Sequence, residues 1–439
     1  MKSRLFALLR DDFVRHNAVF FVGSMTVAVL NYLYHPIMSR MMSVEDFGEV
    51  QVLFSLLSQI GIPLGIFSMI ALNLYANDHD HTSPSVRQFS LLTAYVGGLS
   101  ALAILLATPY LIHTFKLTSA WGLVIVAATL VVSALTTFGR SYLQASRQFT
   151  QTSIANAIGA GGKLLAAMAL VALGYATLGA LAGFLLASIA TLLYVFVKAR
   201  AHMALPRIAP IRITPELLRE IKFGILILFG TGLLTFFATA DITFAKYFFP
   251  ADTAGLYSGM SIIARIIFFA TGSIAGVLIA HVKISETPAH NRQVLKKGLA
   301  LTSLIGGAGL LLMVLFPTHI ITLMIGQSYA PLAPLLPMLA FHTFLLALIG
   351  VFVNYALALR QNTVIIICIV GVASTLGFLF YAHATPADIV HAFLGGSALT
   401  LVTCIIAYLH PTKHNANPRH DISVHQDTQL SDYRITDTY

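Results

Sequence analysis

Long apolar runs alternate with short polar breaks from one end of the chain to the other. Runs reaching the roughly 20 residues that a helix needs to cross a bilayer fall at 17–38, 48–73, 90–112, 120–140, 153–173 and 177–197. A second set falls at 223–246, 255–280, 298–316, 332–358, 363–382 and 388–409. Within each run the apolar residues are continuous and do not alternate, so the pattern predicts helices and not barrel strands. The fold class expected is an all-α polytopic membrane protein with 12 transmembrane helices. The longest interior break, "KARAHMALPRIAPIRITPELLREIKF" (198–223), divides them into two six-helix bundles.

Charge fixes the orientation. With the N-terminus in the cytoplasm, the inside segments hold 21 Lys and Arg, among them Arg87, Arg147, Lys198, Lys296 and Arg360. The outside loops hold 3, namely Arg40, Lys116 and Lys246. This bias follows the positive-inside rule and puts both termini in the cytoplasm. The expected organisation is a cytoplasmic amphipathic segment at 1–16, bundles at 17–197 and 223–409, a linker at 198–222, and a disordered tail at 410–439.

Composition agrees with a surface that faces lipid. The mean hydropathy is +0.82 and charged residues make up 10% of the chain, against roughly a quarter in soluble proteins. The net charge of +9 is spread over the inside breaks and forms no basic domain, so topology accounts for it without nucleic acid. The N-terminal "MKSRLFALLRDDFVRH" lacks a small-residue cleavage site after its apolar run, and is expected to be retained. Cys368 and Cys404 lie in apolar runs and suggest neither a disulfide framework nor a metal site.

The two halves repeat. "YLQASRQ" (142–148) follows the fourth span and "YALALRQ" (355–361) follows the tenth. "EDFG" (45–48) and "DTAG" (252–255) each open an even-numbered span, with an acid in the first turn where the helix dipole favours it. Six helices per half make this a parallel repeat, with a pseudo-twofold axis along the membrane normal.

Three charges lie deep within the runs, away from their ends. "NAIGAGGKLLAAM" (156–168) has the glycines and lysine of a phosphate loop, but position 157 is Ala and position 164 is Leu, so the P-loop spacing fails. Lys163 is instead a cation about ten residues into the fifth span, beside glycines that allow close helix approach or leave room for a ligand. Arg265 lies at a similar depth in the eighth span, and Asp241 in the outer half of the seventh. A Lys or Arg at the bilayer centre costs about 2.5–3.5 kcal/mol and ordinarily faces a protein interior. Asp241 and Arg265 are placed to neutralise each other. Two cations against one acid still leave a positive interior, which attracts anions such as phosphates.

Other polar positions carry less. Asn31, Gln59, Asn73, Asn156, His342 and Asn354 are expected to bridge helices. Arg40 either lines a cavity mouth or sits at the headgroups, and His35 beside Pro36 reads as a helix-end feature. Arg147 and Arg360 occupy matched cytoplasmic corners, where the positive-inside rule suffices and a gate or headgroup contact is the alternative. Pro331, Pro334 and Pro337 imply a hinge or a bent start to the tenth span.

"HPIMSRMMSVEDFGEVQVLFSL" (35–56), "AKYFFPADTAGLYSGMSII" (245–263) and "SYLQASRQFTQTSIANAIG" (141–159) resemble segments of bacterial polysaccharide flippases of the Wzx type. Those proteins belong to the multidrug/oligosaccharidyl-lipid/polysaccharide exporter superfamily. The resemblance implies a cationic cavity and alternating access. The cargo it implies is an undecaprenyl-diphosphate-linked oligosaccharide moved from the inner to the outer leaflet of the bacterial cytoplasmic membrane. It implies substrate binding by Lys163 and Arg265, with Arg40 near them, and Na⁺ or H⁺ coupling through Asp241. Gate or headgroup contacts fall to Arg147 and Arg360. No cofactor beyond a coupling ion is expected, and the chain is expected to work as a monomer among membrane lipids. A drug/cation antiporter of the same superfamily would call for more interior acids. A membrane polysaccharide polymerase would call for a large outside loop, whereas those here are short, and no nucleophile or carboxylate-pair constellation supports catalysis.

Overall fold

Apolar runs without hydrogen-bonding partners in lipid must satisfy their backbone internally, and the chain does so by helices throughout. The computed structural model describes residues 12–77, 84–146, 148–200, 215–282 and 286–409. Its first half contains α1 (Asp12–Met41), α2 (Val44–Ile60), α3 (Ile62–Asn77), α4 (Pro84–Phe115), α5 (Ala120–Ala145), α6 (Phe149–Leu170) and α7 (Ala176–Ala199). The second half contains α8 (Pro215–Phe248), α9 (Ala251–Ala264), α10 (Ile266–His281), α11 (Pro288–Leu315) and α12 (Pro317–Met324). A 3₁₀ segment (Gln327–Leu335) then leads into α13 (Leu336–Ala358), α14 (Thr363–Tyr381) and α15 (Pro386–Leu409). Side-chain caps start several of these: Ser43 accepts from the Asp46 amide at 3.1 Å, and Thr287 from the His290 amide at 3.2 Å.

Among the described residues, nine helical stretches are long and apolar enough to cross a membrane. One of them, Phe149–Ala199, is 51 residues long and covers two of the expected spans. It is broken by a π-helical turn at Val171–Tyr175, where Gly174 has φ +90° and Ala176 φ +39°. The pair α2 and α3, bent by 45° at Gly61, makes a tenth stretch if taken as one span. Several bounds differ from the apolar runs. α1 continues through Pro36 to Met41, and α8 begins at Pro215, inside the expected linker. Helices outlast their apolar runs because polar ends also satisfy helical hydrogen bonds outside the lipid. The segments 1–11 and 410–439 lie outside the described residues.

The first-half helices pack on one another, with α6 against α7 and α1, and α5 against α4 and α7. The second half is organised around α13, which meets α10, α11 and α15. Contact between the halves runs through α2 against α8 and α9, and through α3 and α4 against α8.

The repeated motifs occupy equivalent places. α5 ends at Ala145 and α13 at Ala358, and each end is closed by the glutamine of its motif. Gln148 N–H donates to Leu143 O at 2.9 Å and Gln361 N–H to Ala356 O at 2.8 Å. This six-to-one bond is the helix-closing pattern of a Schellman turn, and Arg360 supplies the left-handed residue at φ +53°. The glycines of "EDFG" and "DTAG" touch across the halves. A Cβ on Gly48 would lie 2.6 Å from Gly255 Cα, and one on Gly255 would lie 2.2 Å from Val44 O.

The glycine run beside Lys163 serves helix packing. Cβ positions at Gly159 and Gly162 would make ordinary contact, at 3.4 Å, with Thr191 and Ala187 of α7. Gly183 of α7 is tighter, since its Cβ would come within 2.4 Å of the Ala167 amide nitrogen.

Candidate functional site

α1 presents Asn31, Tyr34 and His35 on one face, as spacings of three and four residues require. α6 packs along α1 and brings Lys163 against that face. The Lys163 side chain is 8% exposed, and Nζ donates to Asn31 Oδ1 at 2.8 Å. The ammonium also lies 4.8 Å from the centre of the Tyr34 ring and 5.7 Å from that of Phe184. Aromatic faces attract a cation at such distances, more strongly away from water. Among the described residues no carboxylate lies within ion-pair distance of Lys163. Its positive charge is therefore held by dipoles and rings and stays uncompensated.

Arg265 falls where the span formed by α9 and α10 breaks. Arg265 and Asp241 of α8 form an ion pair at 2.7 Å, both deeply buried at 9% and 2% exposure. The second carboxylate oxygen accepts from the Ser261 hydroxyl, one helical turn before Arg265. Beside the break, Thr343 of α13 donates to the Ala264 carbonyl at 2.8 Å. Both oxygens of Asp241 are thus engaged by its own half of the protein. Of the two sequence-predicted cations, one is neutralised and one is not.

His35 shares the Tyr34 ring with Lys163. Its ring lies 5.5 Å from the Tyr34 ring, edge to face, and it is within electrostatic reach of both Lys163 and Arg265. His35 is not at a helix end, since α1 runs six residues beyond it. Pro36 lacks an N–H and leaves one helical bond unmade, but the helix continues and Ser39 Oγ donates back to Pro36 O at 3.0 Å.

The other sequence-predicted residues stand apart from this cluster. Arg40 donates to Leu323 O at the end of α12, and Ser39 to Ile325 O at 3.2 Å, so the end of α1 is fastened to the second half. Arg360 lies 4.4 Å from the centre of the Phe223 ring, and Arg147 is outside the described residues. Two of the other interior amides join helices, since Gln59 donates to Thr239 and Thr243 at 3.2 Å and Asn156 accepts from Arg140, whereas Asn354 donates within its own helix to Gly350 O at 2.7 Å. The Asn73 side chain is outside the described set. His342 lies 3.2 Å from both Ser397 Oγ and Phe237 O. The three prolines give a bent start to α13 through the 3₁₀ segment.

Sequence reasoning missed Glu49 and Lys246. Lys246, counted among the outside-loop cations, is 2% exposed on the last turn of α8 and within electrostatic reach of Glu49. Glu49, also 2% exposed, accepts from the Thr118 amide at 3.0 Å and hydroxyl at 2.8 Å. The signal available was an acid at the second position of the apolar run 48–73.

Residues 37–334, more than half of the chain, match the family described as polysaccharide biosynthesis protein. Among solved structures, an inward-facing multidrug resistance MATE family transporter of the MOP superfamily aligns with TM-score 0.67 at 14% identity, covering 87% of this chain and 93% of that one. The lipid II flippase MurJ in an inward closed conformation aligns with TM-score 0.67 at 13% identity, covering 91% and 89%. An outward-facing MATE family transporter aligns with TM-score 0.60 at 14% identity, covering 90% and 93%. No curated protein matches the chain. At these identities the solved structures share its fold, and the family match extends from the first half into the second. The chain belongs to the polysaccharide biosynthesis protein family, and its fold is the one seen in the MATE family transporter and in MurJ.

Proposed function

We propose that this protein flips a polyprenyl-diphosphate-linked oligosaccharide from the cytoplasmic to the outer leaflet of a bacterial inner membrane by alternating access. In this reading the chain crosses the membrane twelve times, with both termini in the cytoplasm, and acts as a monomer. The observation that carries the reading is Lys163, a buried ammonium held by Asn31 and two rings with its charge uncompensated. Such a group attracts an anion, and a lipid diphosphate supplies one that is compatible with a membrane path. Membership of a polysaccharide biosynthesis family supports an oligosaccharide as the cargo.

Asp241 is the coupling residue of the proposal. Its carboxylate is bound to Arg265 and Ser261, so a diphosphate that draws Arg265 away frees it for Na⁺ or H⁺. The antiporter alternative is supported by the shared fold alone. Among the described residues no site favours a polymerase. In proteoliposomes, Lys163→Ala is expected to lower outward movement of a lipid-linked oligosaccharide at least tenfold, and Lys163→Arg to retain part of it. Full transport by Lys163→Ala would overturn the reading. Asp241→Asn tests coupling separately, through loss of the dependence of rate on a Na⁺ or proton gradient.

A further inference from the structure

We infer that His35 is a third ligand-contact residue of this site, donating its Nε2–H to a phosphate oxygen of the ligand that Lys163 attracts. The inference rests on the flippase reading above and deepens it.

Three observations on α1 converge. His35 Nδ1 is fully buried and has no hydrogen-bond partner among the described residues. Nε2 is not enclosed in that way and has no partner either, in a side chain that is only partly buried. The ring also shares Tyr34 with Lys163: the imidazole meets it edge to face at 5.5 Å, and the ammonium lies 4.8 Å from its centre. A neutral imidazole carries one N–H. With Nδ1 facing no acceptor, that hydrogen belongs on Nε2, the nitrogen left open.

A ring N–H with no partner among the described residues thus stands beside an ammonium that gives one of its three hydrogens to Asn31. Both groups call for an oxygen-rich anion. A cation would meet the uncompensated charge of Lys163 and is repelled. A diphosphate has enough oxygens to accept from Lys163 and His35 together. The Nε2–H has no acceptor among the described residues, and a phosphate oxygen of the ligand supplies one.

The position also links the two halves. Lys163 faces His35 from α6 in the first half. Arg265, at the α9–α10 break in the second half, is within electrostatic reach of it, with its charge matched by Asp241 of α8.

The test uses purified full-length protein in nanodiscs, titrated with farnesyl diphosphate and with inorganic pyrophosphate as probes. Stronger binding of farnesyl diphosphate identifies a lipid headgroup as the source of the anion, and equal binding identifies free phosphate; either agrees with the inference. His35→Ala is expected to weaken binding about tenfold. His35→Gln, whose amide nitrogen reaches toward the Nε2 position, is expected to restore it to within about threefold, and His35→Asn is not. Wild-type affinity in His35→Ala together with loss in Lys163→Ala overturns the role of His35 and leaves the flippase reading standing. Wild-type affinity in Lys163→Ala, or no binding by the wild type, overturns both. If His35→Ala misfolds, the Gln and Asn variants decide, and equal affinity in those two overturns the inference.

Discussion

Asp241 and Arg265 show how much a single buried pair constrains. Each charge without the other would face an apolar interior, and breaking such a pair costs about 3–5 kcal/mol because the remaining charge is uncompensated. Asp241→Asn is therefore expected to lower the melting temperature in detergent, and Arg265→Gln added to it is expected to recover most of the loss. A double variant no more stable than Asp241→Asn would mean the pair is not the stabilising unit. This pairing was legible in the sequence, because the two residues lie 24 positions apart on consecutive spans at compatible depth. The Lys163 partner was not, since Asn31 is 132 residues away and several interior amides were equivalent in the one-dimensional pattern. His35 was misread for a different reason. Proline marks helix ends often enough to suggest one, but tertiary packing carried α1 past Pro36.

Helices pack at distances set by their smallest residues. α6 and α7 approach so closely at Gly183 that a Cβ would strike the Ala167 backbone at 2.4 Å. Overpacking of this kind costs roughly 1–3 kcal/mol, and more where the obstacle is backbone that cannot rotate away. Gly183→Val is expected to destabilise the protein by at least that amount in thermal unfolding. Gly377→Ala, with nothing within 4 Å of its added carbon, is expected to leave stability unchanged; equal effects would mean that the packing at Gly183 is not limiting. The spans themselves were legible because lipid demands continuous apolar length. Their breaks were not. The π turn at Val171–Tyr175, the bend at Gly61 and the interruption at Arg265 depend on local hydrogen bonding and on neighbours such as Thr343, which hydropathy does not record.

The molecule as a whole is two related halves held through a few helices. α2 lies against α8 and α9, and the last turn of α1 is tied by Arg40 and Ser39 to the segment after α11. The internal repeat was read from two short motifs, but the sequence did not mark either of them as the place where the halves touch. "EDFG" and "DTAG" bring Gly48 and Gly255 together, and the two glutamine-closed helix ends sit at equivalent places in each half. Gly255→Val would push against Val44 O and force the halves apart at this point. It is expected to raise the rate at which a membrane-impermeant maleimide labels Ser39→Cys, a site buried beside Ile325 in the intact protein. An unchanged labelling rate would mean the halves do not separate there.

The bare-backbone meeting of Gly48 and Gly255 has a mechanical consequence. A seal built from interlocking side chains must unlatch rotamer by rotamer, and each step adds friction to its opening. Two facing glycines have no rotamers to unlatch and no shape to re-find on closing. In the alternating-access cycle proposed above, the two halves would part and rejoin along this line like smooth plates, with the same stroke for every molecule of cargo.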